Sequence, residues 1–221
     1  MKYLGSVDER FQSYNIEMCE VIGGDFWVPY DKMDSVMKHT DKKGFDALKW
    51  KIEPIDLYED KLRNLAAALG PTYIRVSGTW ANDVYFQNNT DAVLEKAPEG
   101  FNNILTQKQW KGVVDFAKAV NGDIVTSFAI SDGMHDANGV YKVDQVKDLI
   151  DYTQSIGGEI AAAEMFNEPT FASHGSAPEG YDANSYAADF AVFHEFVSEY
   201  YPQMMITGPG SVGEGGVLAT T

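Results

Sequence analysis

Short apolar runs and longer stretches of helical spacing alternate along most of the chain. Leu62, Leu65 and Leu69 recur at helical spacing, and Gly70-Pro71 ends that pattern. The same criteria predict strands near 11–18, 73–76, 124–128, 160–166 and 204–207, and helices near 56–69, 106–120, 143–153 and 186–197. This alternation predicts a parallel sheet with right-handed crossovers, either an open doubly wound sheet or a (β/α)8 barrel.

Polar residues at the strand ends separate these two folds. Four predicted strands end in polar or glycine-containing sequence, namely Asn15/Glu17, Ser77-Gly78-Thr79, Ser131-Asp132 and Asn167-Glu168. A barrel assembles its active site from such ends at one face. A dinucleotide fold requires a glycine-rich turn after the first strand, and Gly23-Gly24 lacks the further glycines. We therefore predict an α/β fold of the (β/α)8 TIM-barrel type.

Residues 19–55 interrupt the regular alternation. Gly23-Gly24 and a Lys/Asp-rich stretch predict a lid or loop insertion, which carries Phe26, Trp27 and Tyr30. Aromatic side chains in such a segment either stack on a sugar or anchor the loop.

Composition and charge narrow the classes of partner. The chain is 44% hydrophobic, and none of its apolar runs reaches the roughly 20 residues of a membrane span. A net charge of -16 repels phosphate backbones, so we expect no nucleic-acid partner. Cys19 is the only cysteine, which excludes an internal disulfide, and we expect no metal and no cofactor. The first ten residues lack a signal peptide, so the chain is cytoplasmic or its signal lies outside this sequence.

The most informative motif is the end of the predicted strand near 160–166. A run of small apolar residues leads to Asn167, Glu168 and the strand-breaking Pro169. Retaining glycoside hydrolysis uses two carboxyl groups about 5 to 5.5 Å apart, and Glu168 is a candidate for the one that protonates the leaving oxygen. Asn167 is a candidate donor to the sugar hydroxyl next to the anomeric carbon. From spacing alone, a solvated loop carboxylate and a turn-forming asparagine are equally good interpretations.

Several blocks of the sequence together resemble one family. They are Tyr-Ile-Arg-Val-Ser-Gly-Thr at 73–79 with 85–86, 105–110 with 115–119, Phe-Asn-Glu-Pro at 166–169, and Gly-Pro at 208–209. In this order they resemble glycoside hydrolase family 79, which includes heparanase and bacterial β-glucuronidases. The resemblance implies a (β/α)8 barrel with an attached β-sandwich and hydrolysis of β-glucuronides or related glycosides. The acidic balance favours a substrate smaller or less charged than heparan sulfate.

The resemblance also implies roles for individual residues. It makes Glu168 the general acid/base and Asn167 the flanking sugar contact, and it suggests that Glu17, Thr79 and Asn82 line the glycone pocket. The family's nucleophile lies on the seventh barrel strand, whereas we count about five strands, so no nucleophile is assigned. We expect residues 1–221 to form one partial barrel, truncated after about five β/α units. Such a chain is expected to be inactive without the remaining half.

The other acidic and basic candidates have structural interpretations. Glu164 is expected to hydrogen-bond within the barrel, and Glu214 to be solvated in a glycine-rich tail. Asp132 and His135 are expected to be loop residues, since no second histidine provides metal-ligand spacing.

Two other functions fit the same sequence. One is a non-catalytic carbohydrate-binding remnant of such a barrel, with Trp27, Tyr30, Trp80 and Tyr85 as stacking surfaces. The other is a different barrel glycosidase with an Asn-Glu strand end, either cellulase-like or xylosidase-like.

Overall fold

A computed structural model describes residues 3–41 and 43–212, without the side chains of residues 45 and 46. Glu214 lies outside the described residues. The strands are β1 (Tyr14–Glu17), β2 (Gly24–Trp27), β3 (Lys49–Ile52), β4 (Thr72–Ser77), β5 (Val84–Gln87), β6 (Asn103–Thr106), β7 (Gly122–Ser127), β8 (Ile160–Glu164) and β9 (Met205–Ile206). The helices are α1 (Met18–Ile22), α2 (Tyr30–Met37), α3 (Asp60–Ala67), α4 (Gln107–Ala119), α5 (Asp144–Ser155) and α6 (Ala183–Tyr200).

The central sheet has five parallel strands in the order β1-β4-β7-β8-β9. Each strand pairs with the next one in that order, and α3, α4, α5 and α6 lie in the four connections. Consecutive β/α units of a (β/α)8 barrel have this arrangement. The prediction of a barrel-type α/β fold with about five units is confirmed, and the sheet formed by the described residues is open.

One face of the sheet packs against the helices and forms the core. Ile74, Ile124 and Ala163 on three neighbouring strands belong to this apolar cluster, together with Trp110 of α4. The indole of Trp110 is completely buried, and its Nε1 donates to Thr153 Oγ1 on α5 at 2.7 Å. This hydrogen bond satisfies the only polar atom of a large buried ring and ties two adjacent helices together.

A local sequence signal starts α4 where the pattern predicts this helix. The backbone N–H of Gln109 donates to Thr106 Oγ1 at 3.2 Å, which makes Thr106 the N-cap of α4. In return, the backbone N–H of Thr106 donates to Gln109 Oε1 at 2.9 Å, which completes a capping box. Among the described helices, none combines the length and apolarity needed to cross a membrane.

The opposite face of the sheet is polar. Asn15 and Glu17 of β1 lie beside Arg75 and Ser77 of β4 in the parallel register. Because side chains alternate along a strand, these four residues lie on the face opposite to that of Ile16 and Ile74. Further along the sheet, Glu164 of β8 lies beside Ser127 of β7. We call this polar surface the inner face.

Residues 19–55 are more regular than the sequence pattern indicates. They contain α1, α2 and an antiparallel hairpin in which Trp27 of β2 pairs with Lys49 of β3. Gly23 and Gly24, with φ of 77° and 126°, form the bend between α1 and β2. The segment thus contains regular elements outside the central sheet, and its role as a lid or loop insertion stays a prediction.

Candidate active site

The chain turns sharply where β8 ends. Glu168 has φ 56° and ψ 57°, a left-handed conformation that costs a residue with a Cβ about 1–2 kcal/mol. Its backbone N–H donates to Gly210 O at 3.2 Å, and its carbonyl accepts from Phe171 N at 2.8 Å. Pro169 then begins a short 3-10 helix, Pro169–His174. These contacts hold the strained residue, whose side chain lies on the wall of a cavity.

Asn167 is fixed from two sides. Its backbone N–H donates to Asn82 Oδ1 at 3.0 Å, and its carbonyl accepts from Asn82 Nδ2 at 2.9 Å. On the inner face, Arg75 Nη2 donates to Asn167 Oδ1 at 2.8 Å. A guanidinium only donates, so the amide oxygen of Asn167 faces Arg75 and its Nδ2 points away.

Asn82 lies behind Asn167 rather than in the cavity. It is completely buried, and its own carbonyl accepts from the backbone N–H groups of Ile130 and Ser131. Resemblance suggested that Asn82 lines the sugar pocket. In the structure both ends of its amide bond the backbone of Asn167, so the geometry supports a positioning role.

Arg75 joins Asn167 to a second acidic residue. Its Nε lies 3.1 Å from Glu164 Oε1, and its Nη2 bonds the same oxygen. The Glu164 side chain is only 7% exposed, so the guanidinium compensates a carboxylate removed from water. Glu164 thus hydrogen-bonds within the barrel, as the sequence predicts. The role of Arg75 is not predicted from the sequence, although a lone charge within an apolar strand is a usable signal.

Glu17 ends β1 in a half-buried position beside the same groups. Burial raises the pKa of Glu17 to about 7, while a hydrogen bond from the backbone of Trp80 and the charge of Arg75 act in the opposite direction. Its Oε1 is buried and has no hydrogen-bond partner among the described residues. A Cβ on Gly78 would lie 1.8 Å from this oxygen, so only glycine leaves room for the carboxylate.

The cavity at these strand ends has a volume of about 290 Å³. Glu168 and Thr79 line it, whereas Glu17, Asn82 and Asn167 do not. Its wall also contains Trp27, Lys49, Trp80, Asp83, Asn103, Phe171, His174 and Ser176. Trp27 and Trp80 are candidate stacking surfaces from the sequence alone, whereas Lys49 comes from β3, a strand that the sequence pattern does not predict.

Asp83 gives the cavity a rigid wall. Its carboxylate accepts from Asn102 Nδ2 at 2.9 Å, from Asn103 Nδ2 at 2.6 Å and from Ser176 Oγ at 2.8 Å. Three donors satisfy a carboxylate that is only 7% exposed, so its contribution is structural.

His135 and Asp132 lie elsewhere. The His135 ring bonds Asp189 Oδ2 on α6 at 3.0 Å, and the hydroxyl of Tyr181 donates to the same oxygen at 2.9 Å. The hydrogen bond with Asp189 raises the pKa of His135. Asp132 is exposed. The sequence predicts His135 as an ordinary loop residue and does not predict its buried hydrogen bond to Asp189 of α6.

A cavity at the carboxyl ends of parallel β/α strands, with a half-buried glutamate on its wall, defines an α/β barrel protein of the kind that hosts enzyme sites. The profile of the glycosyl hydrolase family 79, N-terminal domain, matches residues 26–220. The chain therefore belongs to glycoside hydrolase family 79, and family membership implies a carbohydrate substrate. A comparison with curated proteins gives no match.

Proposed function

We propose that this chain supplies the acid/base half of a retaining glycosidase that acts on β-glucuronides or related glycosides. The observation that carries the proposal is Glu168, held in a left-handed conformation on the cavity wall beside the doubly fixed Asn167. Strain at a residue with a reactive side chain is typical of active sites. Family membership supports the reaction class, and the resemblance of the Phe-Asn-Glu-Pro block supports the role of Glu168.

In this mechanism Glu168 protonates the glycosidic oxygen as a second carboxylate attacks the anomeric carbon, and it then activates water to release the sugar. The resemblance assigns the second carboxylate to the seventh barrel strand. The five strands of the described sheet do not include a counterpart, so the nucleophile stays unassigned.

The hydrogen bond from Arg75 determines which end of the Asn167 side-chain amide is left for a substrate. Because Arg75 occupies the amide oxygen, Nδ2 of Asn167 is the end that donates to the hydroxyl next to the anomeric carbon. Such a bond strengthens as positive charge develops on the sugar ring. A second hydroxyl of the cleaved sugar fits Glu17, whose buried Oε1 lacks a partner among the described residues.

The test compares Glu168→Gln with the unsubstituted full-length protein on aryl β-glucuronides. We expect kcat/KM, which reports the first step, to fall roughly 10²- to 10⁴-fold for poor leaving groups and much less for leaving groups that need no proton. Turnover on good leaving groups should still fall, because the second step lacks the base that activates water. Azide should restore turnover on good leaving groups and yield a glycosyl azide of retained configuration. Glu195→Gln, an exposed site on α6, is the matched control. Unchanged rates on poor leaving groups would reject Glu168 as the acid.

The aromatic cavity wall also favours a second candidate, a carbohydrate-binding protein without turnover. That function predicts saccharide binding by the full-length protein and no hydrolysis of any aryl glycoside. A cellulase-like or xylosidase-like enzyme predicts hydrolysis of glucosides or xylosides instead of glucuronides. One panel of aryl glycosides therefore separates the three functions.

A further inference from the structure

The residues that follow β9 lie against the turn that carries Glu168. The backbone N–H of Thr207 donates to Ala163 O at 2.8 Å, so the contact between β9 and β8 continues one residue beyond β9. Further along, Gly210 O accepts from the Glu168 N–H at 3.2 Å. The chain after β9 therefore runs beside the chain after β8, and we call residues 208–212 the bracing segment.

Thr170 fixes the far end of the bracing segment. Its Oγ1 accepts from the Val212 N–H at 3.0 Å and donates to Val212 O at 3.2 Å. One hydroxyl makes both bonds because it carries a proton and two lone pairs. Thr170 lies two residues after Glu168, on the 3-10 helix Pro169–His174. It thus ties the bracing segment to the same turn that the Gly210 carbonyl contacts.

The bracing segment also fits closely against the end of β8. A Cβ on Gly210 would lie 2.3 Å from Glu164 Oε2, and a Cβ on Gly208 would lie 3.5 Å from the Cβ of Glu164. Arg75 bonds the Glu164 carboxylate, so moving this carboxylate aside would disrupt a buried ion pair. Glycine at position 210 therefore allows the approach that brings its carbonyl to Glu168.

The left-handed conformation of Glu168 needs such support. A residue with a Cβ keeps a strained backbone only where the surrounding contacts over-determine it. Asn82 fixes the backbone of Asn167, just before Glu168, and the bracing segment fixes the N–H of Glu168 itself. Because the backbone sets the direction of the Cα–Cβ bond, these contacts also determine where the carboxyl group points. The place of Glu168 on the cavity wall therefore depends on the bracing segment.

We propose that Thr170 is a positioning residue for the general acid. Through Val212 it keeps the Gly210 carbonyl on the Glu168 N–H, and thereby keeps the Glu168 carboxyl group directed at the glycosidic oxygen. This inference rests on the proposed glycosidase function, because it takes Glu168 as the acid. A misplaced acid slows only those steps in which it transfers a proton. The role therefore predicts a defect that depends on the leaving group.

The test measures kcat/KM of the full-length protein on two aryl β-glucuronides, one with a poor leaving group and one whose leaving group needs no proton. We expect Thr170→Val to lower kcat/KM about tenfold on the first and about twofold or less on the second. Thr170→Ser keeps the hydroxyl and should keep the rate of the unsubstituted protein. Thr90→Val makes the same change at an exposed residue and should alter neither rate. Thermal unfolding of each variant verifies its fold.

A double variant shows whether Thr170 acts through the acid. Thr170→Val combined with Glu168→Gln should hydrolyse the poor substrate at the same kcat/KM as Glu168→Gln alone, because no acid is left to misplace. If Thr170 supported the site in some other way, the double variant would be slower by about a further tenfold.

Hydrogen exchange at the Glu168 N–H gives a readout that does not require turnover. Thr170→Val should speed exchange at this amide, because the bracing segment loses its second attachment. Gly210→Ala should do so by a separate route, since its Cβ crowds the end of β8. The N–H of Ile130, which donates to Asn82 O at 2.8 Å, should keep its protection in both variants.

Three results overturn the proposal: an equal loss or no loss on both substrates in Thr170→Val, a further loss in the double variant, or unchanged exchange at the Glu168 N–H. Each of them leaves the proposed function standing where Glu168→Gln itself is slow on the poor substrate. Failure of the proposed function gives a different pattern. Glu168→Gln then keeps its rate on the poor substrate, and the positioning role fails with it even where exchange at the Glu168 N–H speeds up.

Discussion

The side chain of Asn82 bonds both polar groups of the Asn167 backbone, accepting from its N–H at 3.0 Å and donating to its carbonyl at 2.9 Å. The Asn82 side chain thus takes the place of the backbone groups of a neighbouring strand, to which Asn167 would bond if β8 continued. The two residues are 85 positions apart in the chain, so the fold itself brings the clamp to the residue that precedes Glu168.

Asn82→Ala should destabilise the protein by about 1–3 kcal/mol, because it leaves two buried backbone groups of Asn167 without partners. Asn82→Asp should be worse, since it points a carboxylate at a carbonyl in a buried site. Urea unfolding measures both changes, and hydrogen exchange at the Asn167 N–H shows whether the clamp is lost. The exposed Asn184→Ala should stay within about 0.5 kcal/mol. Equal stability of Asn82→Ala and this control would contradict the clamp.

Arg75→Met should destabilise the protein by roughly 3–5 kcal/mol, because Glu164 would remain as a buried carboxylate without its cation. The double variant Arg75→Met/Glu164→Gln should regain a large part of that loss. Lys147→Met breaks the exposed pair with Asp151 on α5 and should cost at most about 0.5 kcal/mol. Chemical denaturation of the unsubstituted protein, the single variants Arg75→Met and Glu164→Gln, the double variant and the Lys147→Met control checks this order. Strict additivity of the Arg75→Met and Glu164→Gln effects would show that the pair is not coupled.

Glu17 should make the protein less stable as pH rises from about 4.5 to about 7. Burial raises the pKa of Glu17 from 4.5 to about 7, so the folded state holds a proton that the unfolded state has already lost. The full loss is about 3 kcal/mol at most. Glu17→Gln should therefore be more stable than the unsubstituted protein at pH 8 and similar at pH 4. Urea unfolding at both pH values tests this, with the exposed Glu53→Gln as control.

His135 should contribute stability that is present below pH 6.5 and is lost as pH rises through its folded pKa. Its bond to Asp189 raises the pKa of His135 above the ordinary value of 6.5, so the folded state binds the proton more tightly than the unfolded state. His135→Gln should flatten this part of the profile of melting temperature against pH. The exposed His39→Gln should keep it. An unchanged slope in His135→Gln would assign the titration to another group.

The sequence predicts the elements whose signals are local. Thr106, with Gln109 three residues later, marks the start of α4, and the run before Asn167 and Glu168 identifies β8 and the residues after it. The parallel sheet follows because apolar strands and amphipathic helices alternate.

The missed features depend on distant partners. The β2–β3 hairpin joins strands separated by more than 20 residues, so no short turn motif announces it. The clamp of Asn82 on Asn167 and the bond of Arg75 to Glu164 arise only when the strands are assembled. Their residue types are visible in the sequence, but their partners are not.

The left-handed backbone at position 168 favours different residues for stability and for catalytic activity. Glycine or asparagine adopts that conformation with less strain, so a sequence optimised for thermostability alone would carry one of them at position 168. Directed evolution of this chain under heat selection, without selection for activity, is therefore expected to enrich those two replacements. Position 168 would then report which pressure acted on the protein.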